Sequence, residues 1–339
     1  MTSFNNQIKQ ILILTLLIAL ILLALRELYI FLPGLLGALT LYIISRGGYF
    51  QLVYHRKWRK GWTAGLYLLA YMFIVSLLIY IMVILLGPKI SGFLHDPVLM
   101  INKANQAIAD VQRQTGLTLV TENSLSGIMN KLSGSIPSLL NDTSNLLLNL
   151  AIMLFILYYM LVNGKEMENY LIRIIPLKKN NIAELAAETK RIVKASALGI
   201  PIISMIQGLT ATLGYFIFGV DEFVLWGFIT GVFAFFPVVG TMLIWVPLVI
   251  YTYASGDTWN ATGLFFYSLI VTGNVDYLSR ITLLKRMGHV HPVITVLGVI
   301  VGLGLFGFIG LIFGPLLVNY IILLFRIYMN EFINHKTDT

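Results

Sequence analysis

The stretch "HPVITVLGVIVGLGLFGFIGLIFGPLL", residues 291–317, decides how this chain folds. It lies in a run from residue 287 to residue 325 that contains no Lys, Arg, Asp or Glu. A single helix of that length would be about 58 Å long, whereas the hydrocarbon core of a bilayer is about 30 Å thick. Six glycines interrupt the quoted stretch, and glycine disfavours the interior of a plain helix. The run is therefore predicted to bend back on itself within a membrane.

The composition of the whole chain indicates a polytopic membrane protein. Of its 339 residues, 58% are hydrophobic and only 11% are charged, against about 25% charged in a typical soluble domain. The mean hydropathy is +0.85, and long uncharged runs recur along the chain. The predicted fold class is all-α, with about eight membrane segments. Two broken or re-entrant helical hairpins are among these membrane segments. A small extracytoplasmic helical segment is predicted in addition.

Cysteine content and net charge limit the classes of function. The chain has no cysteine, which excludes disulfides, thiol nucleophiles and thiolate metal sites. Its net charge of +8 could favour nucleic acid, but membrane proteins concentrate Lys and Arg in cytoplasmic loops, and we favour that explanation. Residues 45–60, "SRGGYFQLVYHRKWRK", contain five Lys or Arg and no acid, so they are predicted to be cytoplasmic.

Charge and hydropathy together divide the chain into five predicted regions. Residues 1–87 hold the N-terminal membrane spans, in which 11–25 and 28–44 form a hairpin with Arg26 and Glu27 at its corner. Residues 88–145 are polar and charge-balanced, and form an extracytoplasmic helical subdomain. Residues 146–163 are a fourth span, and 164–194 are a cytoplasmic amphipathic helix region. Residues 195–339 are a C-terminal transport region, and both termini are expected in the cytoplasm.

The two longest apolar runs each have helix-breaking residues at their middle. The midpoint of 223–253 lies in "FFPVVG" at 235–240, and the midpoint of 291–325 lies in "FGFIG" at 306–310. Proline removes a backbone donor, and glycine permits unusual dihedral angles. Hairpins would also keep the basic segments around Arg280 and Arg326 on the cytoplasmic side. Single long crossings are the alternative, but hairpins with tips near the midplane are a layout that secondary transporters use for substrate sites.

Asp276 is the acidic residue best suited to a functional role inside the membrane. Asn274 lies two residues before it, and Arg280 follows at the i,i+4 spacing of a helical ion pair. An ionisable group in a membrane segment is a functional candidate by default, as a proton or cation carrier. The alternative is that Asp276 only neutralises Arg280 at the cytoplasmic interface. We carry these three residues as candidate substrate- or ion-binding residues.

Five further residues complete that candidate set. Gln207 lies mid-span and forms a polar stripe with Ser204 and Thr210, for which hydrogen bonding between helices is the commoner explanation. The other four are helix-breaking residues of the two predicted hairpins, where non-helical backbone can line a cavity. They are Pro237, Gly240, Gly307 and Gly310.

Four glycines and two histidines have simpler explanations than a binding site. The pairs Gly298/Gly302 and Gly310/Gly314 have the G-x-x-x-G spacing that lets helices approach closely. His289 and His291 are two residues apart, which is the wrong spacing for one helix face, and no metal site is predicted.

Motifs in the second half of the chain resemble a known family. A Pro-x-x-Gly followed by a further Pro appears in "FFPVVGTMLIWVP" (235–247), and a Gly-Asp-x-Trp turn appears at 256–259. A series of His-Pro, Phe-Gly-x-x-Gly and Gly-Pro follows between 291 and 315. On these motifs the chain resembles the autoinducer-2 exporter (AI-2E) family, over nearly its whole length. Of that family's Asp-Asn and Arg-Pro pairs, Asp276 and Arg280 match, whereas Tyr277 and Ile281 replace the Asn and the Pro.

The resemblance implies an exporter in the prokaryotic plasma membrane that is a homo-oligomer, with a pentamer as one option. It links members to export of the quorum-sensing signal autoinducer-2, and some of them to sodium/proton antiport. We therefore expect a secondary transporter that exports a small polar solute of this type. A monovalent cation/proton antiporter acting through Asp276 is the alternative, and a membrane scaffold that binds a partner through 88–145 is an alternative of another class.

Enzymatic activity and cofactors are not expected. The chain has no H-E-x-x-H and no P-loop, and "GLGLFG" at 302–307 matches G-x-G-x-x-G without the strand that a nucleotide site needs. The expected partners are the small polar solute or a monovalent cation, the lipid bilayer and further copies of the chain. Nucleic acid is not among them.

Overall fold

All regular secondary structure in the described part of the chain is helical. The computed structural model describes residues 2–95, 145–236, 240–287, 292–307 and 310–329. The predicted all-α polytopic class is confirmed, whereas most of the predicted extracytoplasmic subdomain lies outside the described residues. The helices are α1 (Thr2–Leu28), α2 (Leu32–Phe50), α3 (Lys60–His95), α4 (Asn145–Val162), α5 (Gly164–Ile174), α6 (Lys179–Ile217), α7 (Phe223–Phe233), α8 (Met242–Ala254), α9 (Thr258–Tyr267), α10 (Gly273–Met287), α11 (Pro292–Phe306) and α12 (Gly310–Tyr328).

Five helical segments of the described chain are long and apolar enough to cross a membrane, judged by length and composition. Shorter apolar helices at Phe223–Phe233, Met242–Ala254 and Leu297–Phe306 add to them. Each of these is well under the roughly 20 residues that a single crossing needs. The five longer segments are Ile8–His55, Lys60–Gly87, Asn145–Val162, Lys179–Ile217 and Gly310–Tyr328.

The N-terminal segments differ from the predicted hairpin. A single 3₁₀ turn, Tyr29–Phe31, joins α1 to α2 while Leu28 keeps right-handed helical dihedral angles. The first breaker after Arg26 and Glu27 is Pro33, and proline is tolerated in the first turn of a helix, so nothing forces a reversal. Helix α1 does not pack along α2, since every residue from 8 to 24 is exposed.

Helices α2, α3 and α4 enclose one apolar core. Tyr49 of α2 is 1% exposed, and its hydroxyl donates to the Lys60 carbonyl oxygen at the start of α3 (3.1 Å). Asn149 of α4 accepts a hydrogen bond from the Gly34 amide of α2 at 3.1 Å, where the two backbones come close. The buried side chains of this core are Ala38, Tyr42, Tyr49, Val53, Ala64, Leu157 and Leu161.

Helix α6 is the central helix of the C-terminal half. It has 39 residues, and it is continuous across position 195, where the sequence predicts a boundary between an amphipathic helix and a span. Its N-terminal half buries Ile192 and Val193 against Phe313 and Leu316 of α12. The amphipathic face therefore packs within the bundle. Helices α2, α7, α10 and α12 all contact α6.

Small residues allow α6 and α7 to approach at backbone distance. A Cβ on Gly208 would lie 3.1 Å from the Gly231 Cα, and one on Gly227 would lie 2.9 Å from the Thr212 Cα. At Gly227 a side chain larger than hydrogen does not fit, and at Gly208 a Cβ would require the neighbouring backbone to move by a few tenths of an ångström. Helix α7 thus packs antiparallel along α6, because residues late in α6 meet residues early in α7.

Both long apolar runs break at the predicted midpoints. The first is interrupted between Phe233 and Met242, and the second between Phe306 and Gly310, where Gly307 has a φ of +60°. Helices α11 and α12 double back along each other. A Cβ on Gly298 would lie 2.8 Å from the Pro315 Cα, and one on Gly302 would lie 2.6 Å from the Gly314 Cα. The interpretation of these glycines as close-packing residues is confirmed.

Candidate functional site

Gln207 and Asp276 meet at the contact between α6 and α10. The Gln207 side chain is 0% exposed, and its Nε2 donates a hydrogen bond to Oδ1 of Asp276. Asp276 itself is partly buried, one turn into α10. The two residues are 69 positions apart, so the tertiary fold brings two members of the predicted set together.

The other polar atom of Gln207 lacks a hydrogen bond. Its Oε1 is buried and finds no donor in the part of the chain that the structure describes. The Gln207 NH₂ faces the Asp276 carboxylate oxygen, which leaves Oε1 on the other side of the amide. A buried acceptor without a partner costs about 1–3 kcal/mol. Such an atom is uncommon in a native fold and calls for an explanation.

The backbone around this pair is irregular or tightly packed. A π-helix, Ser268–Thr272, leads directly into α10, and the side chains at both of its ends are 2% exposed. Single π-helical turns occur often at functional sites. On the other side, the Ser204 hydroxyl, one turn before Gln207, donates to the Gly231 carbonyl oxygen of α7. The π-helical turn thus lies next to Asp276 in sequence, and the α6–α7 hydrogen bond lies one turn from Gln207.

Asn274 forms a hydrogen bond within its own segment. The Asn274 side chain is exposed, and its Nδ2 donates to the Ile270 carbonyl oxygen of its own chain segment at 2.5 Å. Arg280 lies on α10 one turn after Asp276, and its side chain is outside the described residues. The candidate i,i+4 pair of Asp276 with Arg280 therefore stays a prediction.

The four helix-breaking candidates occupy different positions. Gly240 is buried just before α8, where a Cβ would lie 2.6 Å from the Phe236 carbonyl oxygen, so only glycine fits. Pro237 falls outside the described residues. Gly307 takes the left-handed conformation at the end of α11. Gly310 begins α12 and packs against the Gly302 backbone, so it acts as a helix-packing residue and not as part of the unwound tip.

Two polar networks between distant segments were not predicted. The Glu168 carboxylate of α5 accepts hydrogen bonds from Tyr42 (2.7 Å) and from Nη2 of Arg46 (2.6 Å), both on α2. Glu188 of α6 accepts from Nδ2 of Asn319 on α12 at 2.9 Å. Each partner lies over 120 positions away in sequence. The only sequence signal was a charged residue within a mostly apolar or amphipathic segment.

The Glu168 network has a defined electrostatic effect. Burial by itself would raise the pKa of Glu168, but the hydrogen bonds from Arg46 and Tyr42 together with the Arg46 charge outweigh it, and the pKa is lowered. Glu168 is therefore ionised in the folded chain near neutral pH. The network links α5 to the core formed by α2, α3 and α4. Its residues lie far from Asp276 in the sequence.

The described ranges contain no group of three or more His, Asp or Glu side chains that could hold a metal ion. Asp276 and Gln207 provide a carboxylate and a buried amide oxygen, and they lie on helices that contact each other. Such a site can bind a polar group or a cation by oxygen atoms, and nothing in its geometry activates a nucleophile.

Comparison with known proteins gives this geometry a family context. The model of the AI-2E family transporters matches residues 11–330. Relatives named "Putative transport protein" occur in Aquifex aeolicus, at 26% identity over 62% of this chain, and in Helicobacter pylori strain J99, at 27% identity over 64% of it. "Putative transport protein YdiK" of Escherichia coli is 33% identical over 41% of this chain and 37% of its own length.

The aligned part spans only about three fifths of the first two relatives, 60% and 63% of their lengths. The names of the family and of these relatives indicate transport and point away from catalysis. With twelve described helices, two broken apolar runs and a family match over nearly all of its length, the chain belongs to the AI-2E transporter family.

Proposed function

We propose that this protein is a secondary transporter that exports a small polar solute, and that Gln207 and Asp276 form part of its binding site. The observation that carries the proposal is the buried Oε1 of Gln207, which lacks a hydrogen-bond donor beside a partly buried carboxylate. A solute hydroxyl that donates to Oε1 would recover the roughly 1–3 kcal/mol lost at that atom. Binding energy would then be available only to solutes with a donor.

The chemistry of the pair suits a hydroxyl-rich molecule. An amide oxygen and a carboxylate both accept hydrogen bonds, so together they select donors and disfavour anions. A solute of the autoinducer-2 type carries several hydroxyl groups, in agreement with the family match. The broken runs supply helix ends and irregular backbone near the membrane interior, which transporters use to bind polar groups.

A second function is favoured by the same oxygen atoms. Amide and carboxylate oxygens are ligands for hard cations, so Gln207 Oε1 and Asp276 could hold Na⁺ and exchange it for a proton. Monovalent cation/proton antiport is therefore the alternative. It predicts that Asp276 changes its protonation state during each cycle, whereas solute export requires that Asp276 acts as a carboxylate acceptor throughout the cycle.

Location and assembly complete the proposal. We place the chain in the plasma membrane with the basic segment 55–60 and the C-terminal end in the cytoplasm, as the positive-inside tendency favours. Further copies of the chain are proposed as partners. The exposed apolar residues of α1 give lipid or another copy a surface to cover.

Purified protein in liposomes separates these functions. Efflux of small hydroxyl-rich solutes from loaded vesicles, and Na⁺-dependent proton movement reported by a pH-sensitive dye, should be measured side by side with empty liposomes. Solute efflux above the empty-liposome rate supports the exporter, and dye response without solute efflux supports the antiporter. If neither occurs in vesicles where the protein is folded and inserted, transport by this site is contradicted and a scaffold role is favoured.

A further inference from the structure

The turn between α2 and α3 concentrates positive charge on the surface. We name residues 55–60, His-Arg-Lys-Trp-Arg-Lys, the basic turn. Its four Lys and Arg side chains are all exposed. Among the described residues, no carboxylate lies within salt-bridge distance of any of them. The sequence contains no Asp or Glu from residue 28 to residue 95, so the turn has no acidic neighbour on its own helices.

The backbone of the basic turn is fixed by contacts with the core. The buried Tyr49 hydroxyl donates to the Lys60 carbonyl oxygen at 3.1 Å, and the Trp58 amide donates to the Leu52 carbonyl oxygen at 3.1 Å. A π-helical turn, Gln51–His55, precedes it with Val53 buried. The four cations therefore project from a fixed frame, and an anion that binds them need not first order the backbone.

Two tryptophans show the depth at which the basic turn lies. Trp58 is 47% exposed and Trp62 is 79% exposed, one within the turn and one directly after it. Helix α3 then continues as an apolar span from Lys60 to Gly87. Exposed Trp at the end of a membrane span lies at the level of the lipid headgroups. The cations of the turn are thus next to headgroups and not in bulk water.

A further cation joins the basic turn from α5. The Lys165 ammonium group lies 5.5 Å above the centre of the Tyr54 ring. The acids of α5 nearest to it are Glu166, which is exposed, and Glu168, which is bound to Arg46. Two separate elements therefore contribute positive charge to one interfacial surface.

We propose that the basic turn is a binding site for the headgroups of anionic phospholipids. The negatively charged phosphodiester group interacts with the Lys and Arg side chains. The glycerol and acyl chains lie against Trp58, Trp62 and the first turns of α3. The apolar half of this surface distinguishes a lipid from a free phosphate ion. The site would make the structure of the α2–α4 core depend on the lipid composition of the cytoplasmic leaflet.

Lipid binding to the full-length protein tests this proposal. Detergent-solubilised protein would be titrated with phosphatidylglycerol or with phosphatidylcholine, and bound lipids counted by native mass spectrometry. We expect phosphatidylglycerol to bind at least about tenfold more tightly, since each basic residue near a membrane surface contributes about fivefold. High salt should abolish that preference in the wild type. Equal binding of the two lipids at low salt would overturn the proposal.

Matched variants locate the site. Arg56→Gln, Lys57→Asn, Arg59→Gln and Lys60→Gln together should remove the preference; Asn is chosen at 57 because Lys57 has a φ of +57°, which Asn tolerates. The control removes four exposed cations elsewhere, Arg173→Gln, Lys178→Gln, Lys179→Gln and Lys190→Gln, and should keep it. Equal loss in both variants would show a net-charge effect and overturn the site.

A competitor without acyl chains and a second variant test the lipid site further. Glycerol 1-phosphate should not displace phosphatidylglycerol at matched concentration; displacement would show that phosphate alone is recognised and would contradict a lipid site. If the fourfold variant unfolds, the double variant Arg56→Gln and Arg59→Gln replaces it, and a preference unchanged in that folded variant counts against the proposal.

Discussion

The side-chain amide of Gln207 donates a hydrogen bond to the Asp276 carboxylate across the contact between α6 and α10, and its own oxygen is buried without a donor among the described residues. Most buried polar atoms in native folds have at least one hydrogen-bond partner. The exception here joins a mid-span amide to an acid in a membrane segment, and ionisable residues in such segments mark substrate and ion pathways.

Replacing Gln207 with Leu removes both the bond to Asp276 and the unsatisfied oxygen. The two effects on stability oppose each other, since each is about 1–3 kcal/mol. We therefore expect the thermal unfolding midpoint to change little while transport is lost. Thr210→Val, on the same helix one turn away, is the control, because its hydroxyl bonds only within the helix. Full transport by a folded Gln207→Leu protein would exclude the amide from the site.

The α11–α12 pair should be sensitive to side-chain size at Gly302. A Cβ there would lie 2.6 Å from the Gly314 Cα, so Gly302→Ala must separate the helices and should destabilise the fold by about 1–3 kcal/mol. Gly304→Ala is the matched control in the same helix, since no described atom beyond its chain neighbours and its own helix backbone lies within 4 Å of its added Cβ. Unfolding in detergent, followed by circular dichroism, compares them. Equal midpoints for the two variants would argue against the close crossing.

The ion pair of Arg46 with Glu168 should make stability depend on pH. The folded-state pKa of Glu168 is lowered, so its contribution is present above the ordinary Glu value of about 4.3 and is lost as pH falls through the folded pKa. Near neutral pH, Glu168→Gln should lower stability by roughly 1 kcal/mol, with allowance for the partial exposure of Arg46.

Unfolding midpoints measured from neutral pH to about pH 3 check this sign. The difference between wild type and Glu168→Gln should shrink as the pH falls, whereas Glu166→Gln, on the exposed side of α5, should resemble the wild type throughout. A difference that grows towards acid would be the wrong sign for a carboxylate stabilised in its ionised form.

Single cysteines can establish on which side the α11–α12 hairpin begins and ends. The natural sequence has no cysteine, so Thr282→Cys before the hairpin and Arg326→Cys after it can each be introduced without background. Because α11 and α12 double back, both should react with an impermeant thiol reagent from the same, cytoplasmic, side of oriented vesicles. Labelling of the two from opposite sides would contradict the hairpin.

The sequence predicts the broken runs well because a local rule decides them. An apolar stretch longer than the bilayer must bend, and Pro and Gly residues determine where, as the end of α11 at Phe306 and the positive φ of Gly307 confirm. The same rule failed at Arg26 and Glu27. No breaker lies beside that charged pair, and the helical path continues through the 3₁₀ turn that follows.

The sequence did not reveal which residues contact each other across the fold. Gln207 and Asp276 were both selected by residue type, yet nothing in the sequence pairs positions 69 apart. Glu188 and Asn319 were not selected at all, because a lone acid on an amphipathic helix resembles a solvated side chain. The α6–α7 crossing was also missed. Gly227 and Gly231 have the G-x-x-x-G spacing of a close helix crossing, but that spacing does not say which helix packs against them.

The most direct test of the central claim is the initial rate of solute efflux, or of Na⁺-dependent proton movement, from proteoliposomes that contain Asp276→Asn. The control is Asp257→Asn, an exposed acid whose role is to cap α9 through the Asn260 amide at 3.2 Å, a role that Asn can also fill. Our account predicts a fall of at least about tenfold for Asp276→Asn and a near wild-type rate for the control. Equal rates for both folded variants would contradict it.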